Sequence, residues 1–210
     1  MTSTDDLIHS LASAAGTQQR GASLPAALAV TGAASFACAL LLVFSVIGIR
    51  QDFADMAVRT PFAFKVIYAG ALVVGASVVA LYAATPGASA TALYALLPAV
   101  ILLACGVIFD PTGFPIMGRT DTAVVICMGR ILFLSLPAMI LTFVFMRKAA
   151  PTQPLFAGAV IGMLSASVGA LAYTLACRND GTAFVSIWYA ADCAIMAAVG
   201  AMMGQRVLRW

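Results

Sequence analysis

The chain has 210 residues, of which 63% are apolar and 9% charged, with a formal net charge of +3. Soluble domains run at roughly 45–50% apolar and about 25% charged, so this composition excludes a water-soluble globule. It excludes a disordered chain for the same reason. All eight acids are Asp, and only two of the eleven bases are Lys. With a mean hydropathy of +1.04, the class that remains is an integral membrane protein.

Residues 1–23 form the one stretch outside the apolar spans that is long enough to hold structure of its own. It opens Ser3-Thr4-Asp5-Asp6-Leu7-Ile8-His9-Ser10-Leu11-Ala12. Ser3 with Asp6 fits a capping-box pattern, and Asp5 and Asp6 suit the positive end of a helix dipole. Leu7, Ile8 and Leu11 then share one face of a predicted short helix. After Gly16 the pattern dissolves into Thr17-Gln18-Gln19-Arg20-Gly21, a linker. A helix of about ten residues is marginal alone in water, so it either finds a partner surface or frays.

A membrane-crossing helix needs about 20 mainly apolar residues. Six stretches meet that requirement, near 24–49, 61–84, 90–109, 122–146, 155–176 and 182–205. Turn residues or charges mark each gap, as in Asp110-Pro111-Thr112-Gly113 and Cys177-Arg178-Asn179-Asp180-Gly181. The first span is too long, and begins too far from the start, for a cleavable signal core. The runs lack the alternation of barrel strands. The predicted fold is therefore all-α: a six-helix transmembrane domain over 24–210, preceded by the short segment 1–23.

An even number of spans places both termini on one side. Arg20, Arg147, Lys148, Arg206 and Arg209 lie there, against Arg50, Arg59, Lys65, Arg119 and Arg178 opposite. The rule that counts bases on the inner side returns a tie. The compact clusters at Arg147-Lys148 and Arg206–Arg209 lean towards termini inside.

Ionisable groups within a span are expensive and are functional candidates by default. Lys65 lies near the start of the second span, where its long stem is expected to snorkel outward. Arg130 lies about 12 Å into the fourth span and Asp192 about 15 Å into the sixth, entered from the same side. Their matched depths predict an Arg130–Asp192 ion pair, either a clamp between helices or part of a path for a small solute. Gly158, Gly162, Ala166 and Ala170 form a stripe in the fifth span, and Gly200 and Gly204 end the sixth. Small residues at that spacing let helices pack closely.

Five cysteines occur without a C-x-x-C pattern, and the one histidine, His9, sits in the leading segment. A closed zinc site has no support in this spacing. Cys38, Cys105 and Cys193 read as small buried hydrophobes. Cys127, early in the fourth span, and Cys177, at the end of the fifth, lie at the same face. A base stands close to each in sequence, Arg130 and Arg178, and neighbouring cations raise the thiolate fraction. Two such thiols on adjacent helices could form a disulfide or hold a soft metal ion; chance placement is the alternative. There are no paired carboxylates in the spans and no phosphate loop, so catalysis finds little footing. Pro98 and Pro137 are candidate kinks, but no internal repeat of the transporter kind accompanies them. A membrane thiol oxidoreductase would need a quinone site, which the sequence does not offer.

The opening Thr4-Asp5-Asp6-Leu7-Ile8-His9-Ser10-Leu11-Ala12, six spans, a cysteine early in the fourth, and the stretch from Cys177 through Ala183-Phe184-Val185-Ser186-Ile187-Trp188-Tyr189 to a basic end resemble the NrsF-like family. That family comprises bacterial inner-membrane negative regulators, or anti-sigma factors, of extracytoplasmic-function sigma factors. The resemblance implies cytoplasmic termini and an amino-terminal segment that holds the sigma factor, here through Asp5, Asp6, Leu7, Ile8 and Leu11. It also implies a stress response acting through Cys127 and Cys177 at the periplasmic face. No enzyme activity, cofactor or direct nucleic-acid contact is implied. The linker after the opening helix, with one charge at Arg20, is less basic than the family pattern. A small-solute transporter or channel subunit using Arg130 and Asp192 is the alternative reading.

Overall fold

The computed structural model describes residues 4–6, 8–9, 23–85, 90–119, 122–149 and 151–208. Among these, six helices are long and apolar enough to cross a membrane. Helix α1 covers Leu24–Leu42 and runs on through a π-helical turn, Val43–Ile47. Helix α2 covers Thr60–Ala83, and α3 covers Leu97–Ile108 after a 3₁₀ stretch at Ala90–Leu96. Helices α4, α5 and α6 cover Val124–Ala149, Pro154–Tyr173 and Thr182–Val207. The expected all-α architecture holds. A two-residue ladder in the α3–α4 loop, Gly118–Arg119 against Thr122–Ala123, is its one antiparallel pairing among the described residues.

The helix ends follow local chemistry. α1 stops where Gly48 takes a positive φ of 82°, which a side chain resists. Pro98 marks the place where the 3₁₀ stretch of its span passes into α3. It sits in the first turn of α3, where a missing N–H costs little. Pro137 lies inside α4 and the helix continues through it. α5 ends at Tyr173, earlier than the apolar run suggests, so Cys177 belongs to the following turn rather than to the helix. In apolar surroundings each polar group needs an internal partner. Accordingly Ser35, Ser77, Ser135, Thr142 and Ser165 each donate to the carbonyl four residues earlier, at 2.7 Å.

α5 is the hub of the bundle: it packs on α6 and α4 most extensively, and on α2 and α1 as well. The glycine stripe makes this possible. A Cβ on Gly158 would stand 2.8 Å from Gly204 Cα, and one on Gly162 would stand 2.9 Å from the Ala197 nitrogen. Gly169 faces α4 in the same way, with Ser135 Oγ at 2.6 Å from its would-be Cβ. Helices that share no hydrophobic driving force in lipid gain from this close approach.

The start of α6 is capped from a distance. Asp110, in the α3–α4 loop, accepts from Thr182 Oγ1 at 2.7 Å and from the Ala183 N–H at 3.3 Å. A carboxylate there satisfies orphan donors and faces the positive end of the helix dipole. Burial alone would raise its pKa, but hydrogen bonds from Thr112, Thr182 and Ala183 outweigh it and hold the carboxyl below its ordinary value. Asp110→Ala is expected to cost about 1 kcal/mol, the usual worth of a cap. Asp110→Asn, which still accepts these bonds, should recover most of it; denaturant unfolding in lipid micelles measures both.

Candidate functional site

At the end of the bundle where α1 and α5 finish and α6 begins, four charged side chains meet, three of them buried and the fourth, Asp52, open to solvent. Arg50 follows the π-helical turn of α1 through Gly48 and Ile49 and is 6% exposed. Its guanidinium pairs both oxygens of Asp180 at 2.9 Å and both oxygens of Asp52 at 2.8 and 2.9 Å. Lys65 of α2 donates to Asp180 Oδ1 at 2.7 Å. Two cations therefore balance two carboxylates, and the bidentate geometry suits Arg. The Arg50 hydrogen bond holds the Asp52 carboxyl well below the usual carboxylate range, against the opposing effect of desolvation.

This knot grips the backbone of the α5–α6 loop. Arg50 Nη1 and Lys65 Nζ both donate to the carbonyl oxygen of Cys177, each at 3.1 Å. The Arg50 N–H donates to the Leu175 carbonyl at 3.2 Å. Loop residues Cys177, Asn179 and Asp180 are accordingly buried.

Beneath the knot lie two thiols. Cys127, in the first turn of α4, is 1% exposed, and Cys177 is fully buried. Their side chains lie within hydrogen-bonding reach of one another. Asn179 Nδ2 donates to Cys127 Sγ at 3.4 Å, and the Tyr173 hydroxyl donates to it at 3.7 Å. Cys177 Sγ stands 3.7 Å from the Asn179 carbonyl. The Tyr189 hydroxyl lies beside Cys177 without meeting hydrogen-bond geometry. All five cysteines are free thiols.

The hydrogen bond with Cys127 is the largest influence on Cys177; burial opposes it and the Lys65 ammonium supports it. The balance holds the Cys177 thiol below its ordinary value, at about 6. The folded pKa is thus depressed. Between about pH 6 and the ordinary thiol value the unfolded chain holds the extra proton, so stability rises with pH across that window. It is lost as pH falls through about 6. Thiolate ultraviolet absorbance is expected to show a titration near pH 6 that vanishes in Cys177→Ser and moves upward in Cys127→Ala.

The structure therefore brings together the two thiols singled out in the sequence, though with different neighbours. The cation close to Cys177 is Lys65, rather than Arg178, which is exposed. Lys65 does not snorkel: it is completely buried, because Asp180 offers it a partner inside. The sequence reading treated Arg50, Asn179 and Asp180 as loop punctuation and missed their role. The available signal was charge balance, since a lysine within a span calls for an acid on the same side, and Asp180 stood there.

The expected Arg130–Asp192 ion pair does not form. Both carboxylate oxygens of Asp192 are buried without a hydrogen-bond partner. Arg130 instead faces the Tyr173 hydroxyl. Equal depth did not give proximity: α4 and α6 touch only briefly, α5 packs far more extensively on both, and the faces that carry Arg130 and Asp192 do not meet. With the pair goes the feature that favoured a solute path. Of the leading segment, Asp5, Asp6 and Ile8 lie on a helical stretch and are exposed, Ile8 by 57%. Leu7 and Leu11 fall outside the described residues. No group of three or more metal-ligating side chains occurs among the described residues.

Six helices of bilayer-spanning length, joined at one end by a charged knot over a thiol pair, define a polytopic helical bundle of the membrane type. Residues 11–210 match the family described as NrsF, negative regulator of sigma F, so the chain belongs to that family. It is 31% identical over 217 residues, 99% of each chain, to the anti-sigma-F factor NrsF of Caulobacter vibrioides (strain NA1000 / CB15N). A probable anti-sigma-F factor NrsF of Azospira oryzae is 38% identical over 84 residues, covering 40% of this chain and 39% of its own. No solved structure matches.

Proposed function

We propose that this chain is a multi-pass inner-membrane anti-sigma factor that holds an extracytoplasmic-function sigma factor through residues 1–23 and releases it after chemistry at Cys127 and Cys177. Membership of a family named for negative regulation of a sigma factor supports the partner. The meeting of two thiols from separate elements, level with each other under one loop, is the observation that carries the switch. Disulfide formation would pass two electrons and two protons to an external oxidant. Capture of a soft metal ion would displace the protons alone.

In this reading both termini lie in the cytoplasm and the knot faces the periplasm. Exposed Arg147, Lys148 and Arg206 flank the cytoplasmic ends of α4 and α6, whereas Arg50 and Lys65 are locked in ion pairs at the other face. Asp5 and Asp6 beside an apolar stripe of Leu7, Ile8 and Leu11 complement a partner with basic polymerase-binding surfaces. The acids guide encounter, and the apolar face supplies the grip.

The test uses the full chain in its own membrane with a reporter driven by the sigma factor. Deleting residues 1–20 is expected to switch the reporter on without any inducer. Cys127→Ser and Cys177→Ser should keep repression and abolish induction by oxidants and thiophilic metals. A silent reporter after the deletion refutes the holding role; normal induction in the serine variants refutes the switch.

A further inference from the structure

Resting on that reading, a change at the thiols needs a route to the segment that holds the partner. The leading segment joins the start of α1, and the thiols lie near the far end of the bundle. Among the described residues, Arg50 connects the far end of α1 to the thiol loop by both backbone and side chain. The Arg50 N–H donates to the Leu175 carbonyl, and its guanidinium donates to the Cys177 carbonyl and to both oxygens of Asp180. The loop 174–181 is thereby fastened to α1 on both sides of Cys177.

We infer that Arg50, through its ion pair with Asp180, is the positioning residue that transmits movement of the Cys177 loop to α1 and so to residues 1–23. Rearrangement at the Cys177 sulfur moves its carbonyl, three bonds away, and that carbonyl is an Arg50 ligand. Loss of one ligand weakens the grip on Asp180, and α1 gains freedom at its end. The π-helical turn Val43–Ile47 and Gly48 stand between α1 and Arg50. A π-helical turn interrupts the regular hydrogen-bond ladder, and such interruptions are where helices bend and where functional sites recur. Coupling of this kind requires two arrangements of one element, here the loop fastened to α1 or released from it.

Lys65 provides the internal control. It donates to the same Asp180 oxygen and the same Cys177 carbonyl, but it stands on α2 rather than beyond α1. Removing either cation leaves Asp180 one partner. A purely local scaffold would respond alike to both losses, whereas a link through α1 responds only to Arg50.

The experiment places Arg50→Gln and Lys65→Met separately in the Cys127→Ser/Cys177→Ser chain, expressed in its own membrane with the reporter and no inducer. Reporter output is normalised to the chain in the membrane fraction, and sigma factor co-purifying per chain is measured beside it. Arg50→Gln is expected to raise the reporter at least about fivefold, the lower end of typical couplings, with a matching loss of bound sigma factor. Lys65→Met should stay repressed. Equal behaviour of the two variants, whether both repressed or both released, overturns the link. The deletion of residues 1–20 runs in the same cells, so failure of the holding role shows there and is read separately. Arg50→Lys, which keeps the charge but loses the fork that spans Asp180 and Asp52, is expected to release partially. Full repression in that variant alongside release in Arg50→Gln would still support the link, carried by charge alone, while release in Arg50→Lys with full repression in Arg50→Gln would overturn it.

Discussion

Asp180→Ala is expected to cost about 3–5 kcal/mol of folding stability, the usual penalty for stranding buried charge. The carboxylate serves Arg50 and Lys65 at once, and the lysine has no other anionic partner in the knot. Alanine would leave a fully buried ammonium facing only the Cys177 carbonyl. Against a total stability of roughly 5–15 kcal/mol, that loss threatens the fold itself. Asp180→Asn keeps the shape and one acceptor, and should lose less. Denaturant unfolding in lipid micelles distinguishes them; a cost below about 1 kcal/mol for alanine would mean water reaches the knot.

The second large effect is expected at the α5–α6 contact. Gly162→Leu drives a branched side chain into the Met196 carbonyl and the Ala197 nitrogen, which are backbone and cannot rotate away. Overpacking costs about 1–3 kcal/mol where side chains can adjust, and more where they cannot. A substituted residue gains up to about 1 kcal/mol of helix propensity over glycine, so a net loss shows that the clash dominates. Gly129 of α4 has open space around its Cβ position, so Gly129→Leu serves as the comparison. It should be neutral or mildly stabilising in the same assay. Matching gains at the two positions would show that propensity, rather than close approach, governs the bundle.

Much of this architecture is written in the chain. Apolar runs of bilayer length located all six helices, because hydrocarbon thickness dictates length almost independently of neighbours. The glycine stripe at Gly158, Gly162, Gly200 and Gly204 marked a real close contact, since only such residues let backbones touch. Depth along a helix axis is equally legible, which is why Cys127 and Cys177 appear level in the sequence. Lateral order is not. Arg130 and Asp192 share a depth yet sit on faces that do not meet, and nothing in either span records which faces will pair. Lys65 was misread for a related reason: snorkelling follows from the lysine alone, but its burial follows from Asp180, 115 residues further along the chain. Long-range ion pairs of this sort depend on the assembled bundle and leave only a balance of charges as their trace.

With 1% exposure at Cys127 and none at Cys177, neither sulfur can be struck by a molecule arriving from solution. Under the proposed switch a reagent reaches them only when the packing around them opens, so its rate is expected to be capped by that opening, whatever its own reactivity. Bulky thiol compounds, needing a wider gap, would be turned away more often than hydrogen peroxide or a bare ion. The packing around the sulfurs is thus expected to sort reagents by size before any chemistry begins.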